Sequence, residues 1–329
     1  MAASERWDGR GGGGARLLLR SSGAAHAGRV IEIVGLTKKY GSRVAVDDLT
    51  VTIEPGRVTG FLGPNGSGKT TTMRCILGLT RPTEGRATVL GRPYRHLSRP
   101  MRRVGALIDP RARHPGRTAY AHLLAMAQSN GLPRRRVDEV VELVGIESVA
   151  HERVRGFSLG MGQRLGIAGA LLGDPDVLVL DEPVNGLGPE GIRWVRELLR
   201  DLADEGRTVL VSSHLMSEME ETADHLVVLG AGRLLADLPM DDLLGQHSAV
   251  RVRSPMASLL ARALERAGAR IDVLADGALW VEGMDVVEVG DVAFLSGLRV
   301  HELTQVNESL EEAYLALTED EVEFRAVPA

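Results

Sequence analysis

Cysteine is almost absent from this 329-residue chain: Cys75 stands alone, which excludes an internal disulfide and a thiolate metal cluster and makes a reducing compartment the simplest setting. The thiol itself reads as a small buried apolar residue on a helix. Long apolar runs are also missing. Apolar runs such as residues 177–180 are strand-sized, whereas a bilayer-crossing helix needs about 18 to 20 apolar residues, so the chain is not itself a channel. Excess positive charge is lacking as well: the net charge is −5, which gives no overall positive field to attract nucleic acid. The first residues hold Gly11 to Gly14, several arginines and the short run Leu17 to Leu19, too little for a signal-peptide apolar region. Residues 1–29 are read as a flexible, mildly basic tail, with a weak membrane-surface or partner contact as the alternative.

Hydrophobic residues at 44% and charged residues at 25% describe a globular chain long enough for one large domain and a small one. From residue 30, short apolar runs bounded by glycines alternate with helical stretches, which predicts an α/β domain over 30–245. Strands are predicted at 30–34, 58–62, 104–108, 177–180, 208–213 and 226–229, and helices at 69–79, 119–130 and 134–144. A further charged helix is expected between the last two strands. Roughly a hundred residues separate Lys69 from the strand at 177, enough for an inserted helical subdomain at about 110–170. The pattern then changes to strands at 250–253, 271–274 and 279–282 with a helix at 258–267. This predicts a small α+β accessory domain with a polar tail over 246–329.

The strongest local signal is Gly63-Pro64-Asn65-Gly66-Ser67-Gly68-Lys69-Thr70, placed after a predicted strand and opening a predicted helix. Glycines let successive backbone N–H groups turn toward one anion, and the helix N-terminus adds partial positive charge. Lys69 is placed to reach nucleotide phosphates, the Thr70 hydroxyl to ligate Mg²⁺, and Thr71 to continue the same site. At this composition about 0.004 chance matches are expected. Only three of the 39 basic residues are lysine, so Lys69 sits where a compact ammonium suits a phosphate cradle better than a planar guanidinium.

The second signal is Val177-Leu178-Val179-Leu180-Asp181-Glu182, a buried strand ending in two carboxylates. Ionised carboxylates there must be paired, solvated or metal-bound. Asp181 suits a water-bridged Mg²⁺, and Glu182 suits polarisation of an attacking water. A solvated strand end is the plainer alternative for this motif taken alone.

Over about residues 30–243 the chain resembles the ATP-binding cassette (ABC) proteins. Ser158-Leu159-Gly160-Met161-Gly162-Gln163-Arg164 is similar to their signature segment, and the resemblance implies that Ser158, Gly160 and Gln163 reach ATP held by a partner subunit. His214 resembles the family's γ-phosphate-contacting histidine, and Tyr40 the aromatic that stacks on adenine. The resemblance is greatest to exporter ATPases of the antibiotic-resistance and daunorubicin type. It implies a P-loop NTPase ABC cassette with a helical subdomain, ATP and Mg²⁺ as ligands, a second ATPase subunit taken as an identical chain, a separately encoded membrane permease, and a place on the cytoplasmic face of the membrane.

Three positions depart from the family pattern. Asp109 stands where a metal-binding and permease-contacting glutamine is usual, and a carboxylate remains an acceptable metal ligand. Leu159 and Met161 replace a glycine and a glutamine, and Gly188 replaces an aspartate that bridges subunits. A soluble ABC protein acting on ribosomes or DNA is the alternative class; a single cassette with a short helical insert favours transport. A scaffold that has lost hydrolysis is the third reading, and the intact Glu182 speaks against it.

Overall fold

The computed structural model describes residues 30–245 and 249–306, together with Leu310, Glu311 and Tyr314. The tail expected at 1–29 and the polar end of the chain lie outside the described residues.

The chain opens with a hairpin of β1 (Ile31–Tyr40) and β2 (Arg43–Ile53), where alternating residues such as Ile31 and Ile33 turn inward. β3 (Arg57–Leu62) is buried almost throughout and leads through the glycine loop into α1 (Lys69–Ile76). β4 (Glu84–Val89) then returns to pair with β1, giving an antiparallel sheet ordered β2-β1-β4. The helix at α1 ends three residues before the predicted end, and β2 and β4 were not predicted.

β5 (Val104–Leu107) is followed by three helices, α2 (Ala119–Ser129), α3 (Arg134–Leu143) and α4 (Leu159–Leu171). The Thr118 hydroxyl caps α2 by accepting from the Ala121 N–H. Leu123, Val137, Val140 and Leu165 bury the inner faces of the three helices together. The chain continues through β6 (Val177–Asp181), α5 (Pro189–Asp204), β7 (Thr208–Ser213), α6 (Met216–Thr222), β8 (His225–Gly230), β9 (Arg233–Pro239) and α7 (Met240–Gly245).

The main sheet is ordered β5-β6-β7-β3-β8-β9 and is parallel except for β9. Every residue of β6, β7 and β8 is buried, which is why these strands read as unbroken apolar runs and not as alternating ones. β9 is a partly exposed edge strand with a weaker pattern, and the sequence reading missed it. The register sets Asp181 beside Ser212 and Ser212 beside Phe61, so β6, β7 and β3 end in one row. Ligands of open α/β sheets bind at such carboxyl ends.

The last elements are β10 (Ala249–Arg253), α8 (Ala257–Arg266), β11 (Arg270–Val273), β12 (Leu279–Glu282), α9 (Val286–Leu295) and β13 (Glu302–Val306). They form an antiparallel sheet ordered β11-β12-β10-β13 with its own core of Val250, Val252, Leu260, Leu264, Leu279, Val281 and Val289. Beyond it, Leu310 and Tyr314 join the buried cluster that contains Met219, Ala223, Met240 and Leu243.

Candidate active site

Between β3 and α1 the backbone turns on three glycines with φ of 151° (Gly63), 89° (Gly66) and 103° (Gly68). A Cβ on Gly63 would lie 2.3 Å from the Leu229 carbonyl oxygen, and one on Gly68 2.7 Å from that of Ala45, so both positions exclude a side chain. Pro64, Asn65 and Gly66 are exposed, while Ser67 and Gly68 are buried beneath them. Lys69 is buried; its Nζ donates to the carbonyl oxygens of Gly63 at 2.5 Å and Pro64 at 3.1 Å. Burial draws its ammonium below the ordinary lysine range, against the opposing charges of Glu182 and Asp181.

The end of β6 meets this loop directly. Asp181 Oδ2 accepts from the Thr70 hydroxyl at 2.7 Å, and its Oδ1 from the Ser212 hydroxyl at 2.5 Å. Glu182 has φ of 51°, a left-handed conformation unusual for a side chain of this size, and its N–H donates to Ser212. Residues held in that region cost on the order of 1–3 kcal/mol and cluster at active sites. The Glu182 carboxylate projects to His214, whose Nδ1 lies 2.7 Å from Oε2.

An open cleft of about 450 Å³ is lined by Tyr40, Arg43, Asn65, Lys69, Thr71 and Glu182, among others. Tyr40 is half exposed, with Lys38 Nζ 4.8 Å from the ring centroid. The structure therefore gathers Tyr40, the glycine loop, Lys69, Thr70, Thr71, Asp181, Glu182 and His214 around one cleft. Ser212 and Arg43 belong with them and were missed. Ser212 reaches Asp181 through strand register, which leaves no local sequence signal, and Arg43 follows Tyr40 across a turn.

The donor set beside the loop is a hydroxyl and a carboxylate, both hard oxygens, which fits Mg²⁺ bound through one carboxylate and substrate phosphates. Among the described residues no group of three His, Cys, Asp or Glu could hold a metal, so no all-protein cage competes with that arrangement.

Four predicted residues lie elsewhere. Asp109 does not line this cleft; it is exposed on a second one of about 550 Å³, lined also by Arg74, Tyr94, Arg113 and Met126, and its Oδ1 accepts from the Arg111 N–H at 2.8 Å. No hydrogen bond links it to Thr70 or Asp181 among the described residues, whereas those two bond each other. Ser158 is exposed and caps α4, accepting from the Met161 N–H at 3.2 Å. Gly160 packs where a Cβ would lie 2.7 Å from the Gly186 carbonyl oxygen, and neither residue lines the cleft of its own chain.

Gln163 corrects the expectation of a contact with a partner's nucleotide: its side chain is fully buried, and its Nε2 donates to the Glu182 carbonyl at 2.8 Å. The helical turn that exposes Ser158 turns Gln163 inward. Leu159 fills the space over Gly186, and Gly188 occupies the N-cap of α5 with no side-chain cap.

A family profile described as ABC transporter matches residues 46–185, and one described as a domain of unknown function matches 248–311. The bacitracin transport ATP-binding protein BcrA of Bacillus licheniformis is 42% identical over 217 residues, covering 65% of this chain and 71% of that protein. The uncharacterized ABC transporter ATP-binding protein YhcH of Bacillus subtilis (strain 168) is 36% identical over 297 residues, covering 88% of this chain and 96% of that protein. A solved structure of cbiO1 from Clostridium perfringens, described as part of the ABC transporter complex cbiONQ, superposes with a TM-score of 0.57 and 26% identity, over 72% of this chain and 96% of that one.

Proposed function

The chain belongs to the ABC transporter ATP-binding protein family, and from that premise we propose that it works as the motor of an exporter whose membrane permease is a separate polypeptide. It binds and hydrolyses ATP, as its family does. No helix among the described residues is long and apolar enough to cross a membrane. That fits a subunit held on the cytoplasmic face of the membrane by a permease. The relative that transports bacitracin supports an exported cargo of the antibiotic kind.

In this reading the glycine loop and the N-terminus of α1 bind the nucleotide phosphates. Lys69 neutralises their charge, and Tyr40 stacks on the base. Thr70 and Asp181 would hold Mg²⁺, which supplies charge neutralisation at the transferred phosphoryl group. Ser212 fixes the second oxygen of Asp181 and so sets the carboxylate plane. Glu182 accepts the proton of the water that attacks the γ-phosphorus, and ADP departs with the electron pair of the broken P–O bond. His214 holds the Glu182 carboxylate in position through the contact at Nδ1.

Ser158 and Gly160 are exposed or at the surface and do not line their own chain's cleft, which supports their use at the cleft of a second ATPase subunit. The second cleft, which holds Asp109, suits the permease contact. The observation that carries the proposal is the meeting of Lys69, Thr70, Asp181 and Glu182 at one row of strand ends. The test is Glu182→Gln: labelled ATP should remain bound with affinity close to the parent's, and phosphate release should stop. Hydrolysis at the parental rate would remove Glu182 from its role and the proposal with it.

A further inference from the structure

Helices α8 and α9 both pack on one face of the β10–β13 sheet, α8 through Leu260 and Leu264 and α9 through Val289 and Ala293. Their outward faces are unusual. On α9, Val287 is 65% exposed, Phe294 83% and Leu295 83%; at helical spacing they surround Asp291, with Glu288 alongside. On α8, Leu259 is 53% exposed and lies on the same side as Arg262 and Arg266. The Arg262 guanidinium and the Asp291 carboxylate have no ionic or hydrogen-bonding partner among the described residues. One helix thus presents an apolar and acidic surface, and its neighbour an apolar and basic one.

We propose that these two faces form a nucleotide-independent contact between two copies of this chain, α9 of each copy packing on α8 of the other. A two-fold axis between the helices makes such a contact twice, so the surface is complementary to itself, as an isologous interface requires. The exposed Phe294, Leu295, Val287 and Leu259 supply the dry centre, and the pairing of Asp291 with Arg262 sets the register, with Glu288, which caps its own helix, and Arg266, which bonds the Arg262 carbonyl, adding charge at the edges. A membrane is the poorer occupant, because the apolar side chains of α9 surround carboxylates that an anionic lipid surface repels. The contact is separate from any ATP-driven closure of the phosphate clefts and does not depend on it.

The test uses the full chain at micromolar concentration without nucleotide, in size-exclusion chromatography with light scattering. The expected mass is twice 35.3 kDa. Phe294→Asp should give a monomer, and Asp291→Arg or Arg262→Glu alone should each weaken dimerisation at least tenfold. Combining Asp291→Arg with Arg262→Glu should restore it. All are exposed positions, and circular dichroism with labelled-ATP binding verifies that each variant is folded. A wild-type monomer, a dimer indifferent to Phe294→Asp, or a double reversal that fails to restore association would overturn the proposal. So would a monomer that sediments with phosphatidylserine vesicles through Phe294. Because no nucleotide is present, failure here leaves the Glu182→Gln experiment unaffected, and the two readings stand or fall separately.

Discussion

The buried amide of Gln163 donates to the backbone carbonyl of Glu182 at 2.8 Å, tying the helix that begins at Ser158 to the residue that ends the β6 strand. Glu182 sits in a left-handed conformation, so its backbone is held by partners on two sides, Gln163 at the carbonyl and Ser212 at the N–H. Movement of α4 on meeting a second subunit would therefore reach the carboxylate at the cleft through a single hydrogen bond.

Gln163→Leu keeps comparable volume and removes this donor, leaving the Glu182 carbonyl with only the longer bond from the Asn185 N–H at 3.2 Å, a loss of about 1 kcal/mol. The expected result is a turnover number lowered on the order of tenfold with little change in the KM for ATP. Steady-state kinetics beside a thermal melt decide the matter: a drop in Tm with unchanged kcat would make the bond purely structural.

Lys69→Ala removes the only ammonium at the phosphate loop and should abolish ATP binding or nearly so. In the unmodified chain, burial lowers the lysine's protonation range, and the group is charged only below its own pKa. Raising the pH should consequently weaken ATP binding at a pH where an exposed lysine is still charged. Titration with labelled ATP across alkaline pH measures this, and flat affinity up to the ordinary lysine range would contradict it.

Gly188→Asp should increase turnover. A Cβ at Gly188 meets nothing within 4 Å, and its backbone is extended with φ of −78°, so the aspartate enters without strain. It would also cap α5, yet aspartate in place of glycine at an N-cap is worth only a few tenths of a kcal/mol, on the order of 0.3 kcal/mol. A several-fold rise in kcat with an almost unchanged Tm therefore points to a new contact across the subunit interface. An equal or lower rate would show that the loop is already served from elsewhere.

Truncation after Gly245 should leave ATP affinity intact, because every described residue that lines the phosphate cleft precedes that point. It should also lower stability, since Leu310 and Tyr314 fill the cluster around Met219, Met240 and Leu243, and the Leu310 N–H donates to Glu220 at 3.3 Å. Leu310→Ala alone should cost about 2–5 kcal/mol, the usual range for a buried leucine. Urea unfolding of both variants measures the loss; a truncated chain as stable as the parent would mean that those contacts contribute little.

Local patterns determined much of the site. The glycine loop is legible because its turns demand positive φ that only glycine adopts freely, and Asp181 and Glu182 are legible because two acids end an apolar strand. The parallel strands stood out as unbroken apolar runs, whereas β2, β4 and β9, each partly exposed and paired at a margin, did not. Tertiary structure alone decided the contacts that cross the chain: Thr70 with Asp181 over 111 positions, Ser212 with Asp181 over 31, and Gln163 turned inward to Glu182. It also turned Asp109 to another cleft and brought Leu310 back to α6 and α7. The reason is that a residue's type restricts its own backbone and its immediate neighbours, while partners far along the chain are chosen by strand register and helix rotation, which are set only when the whole core packs.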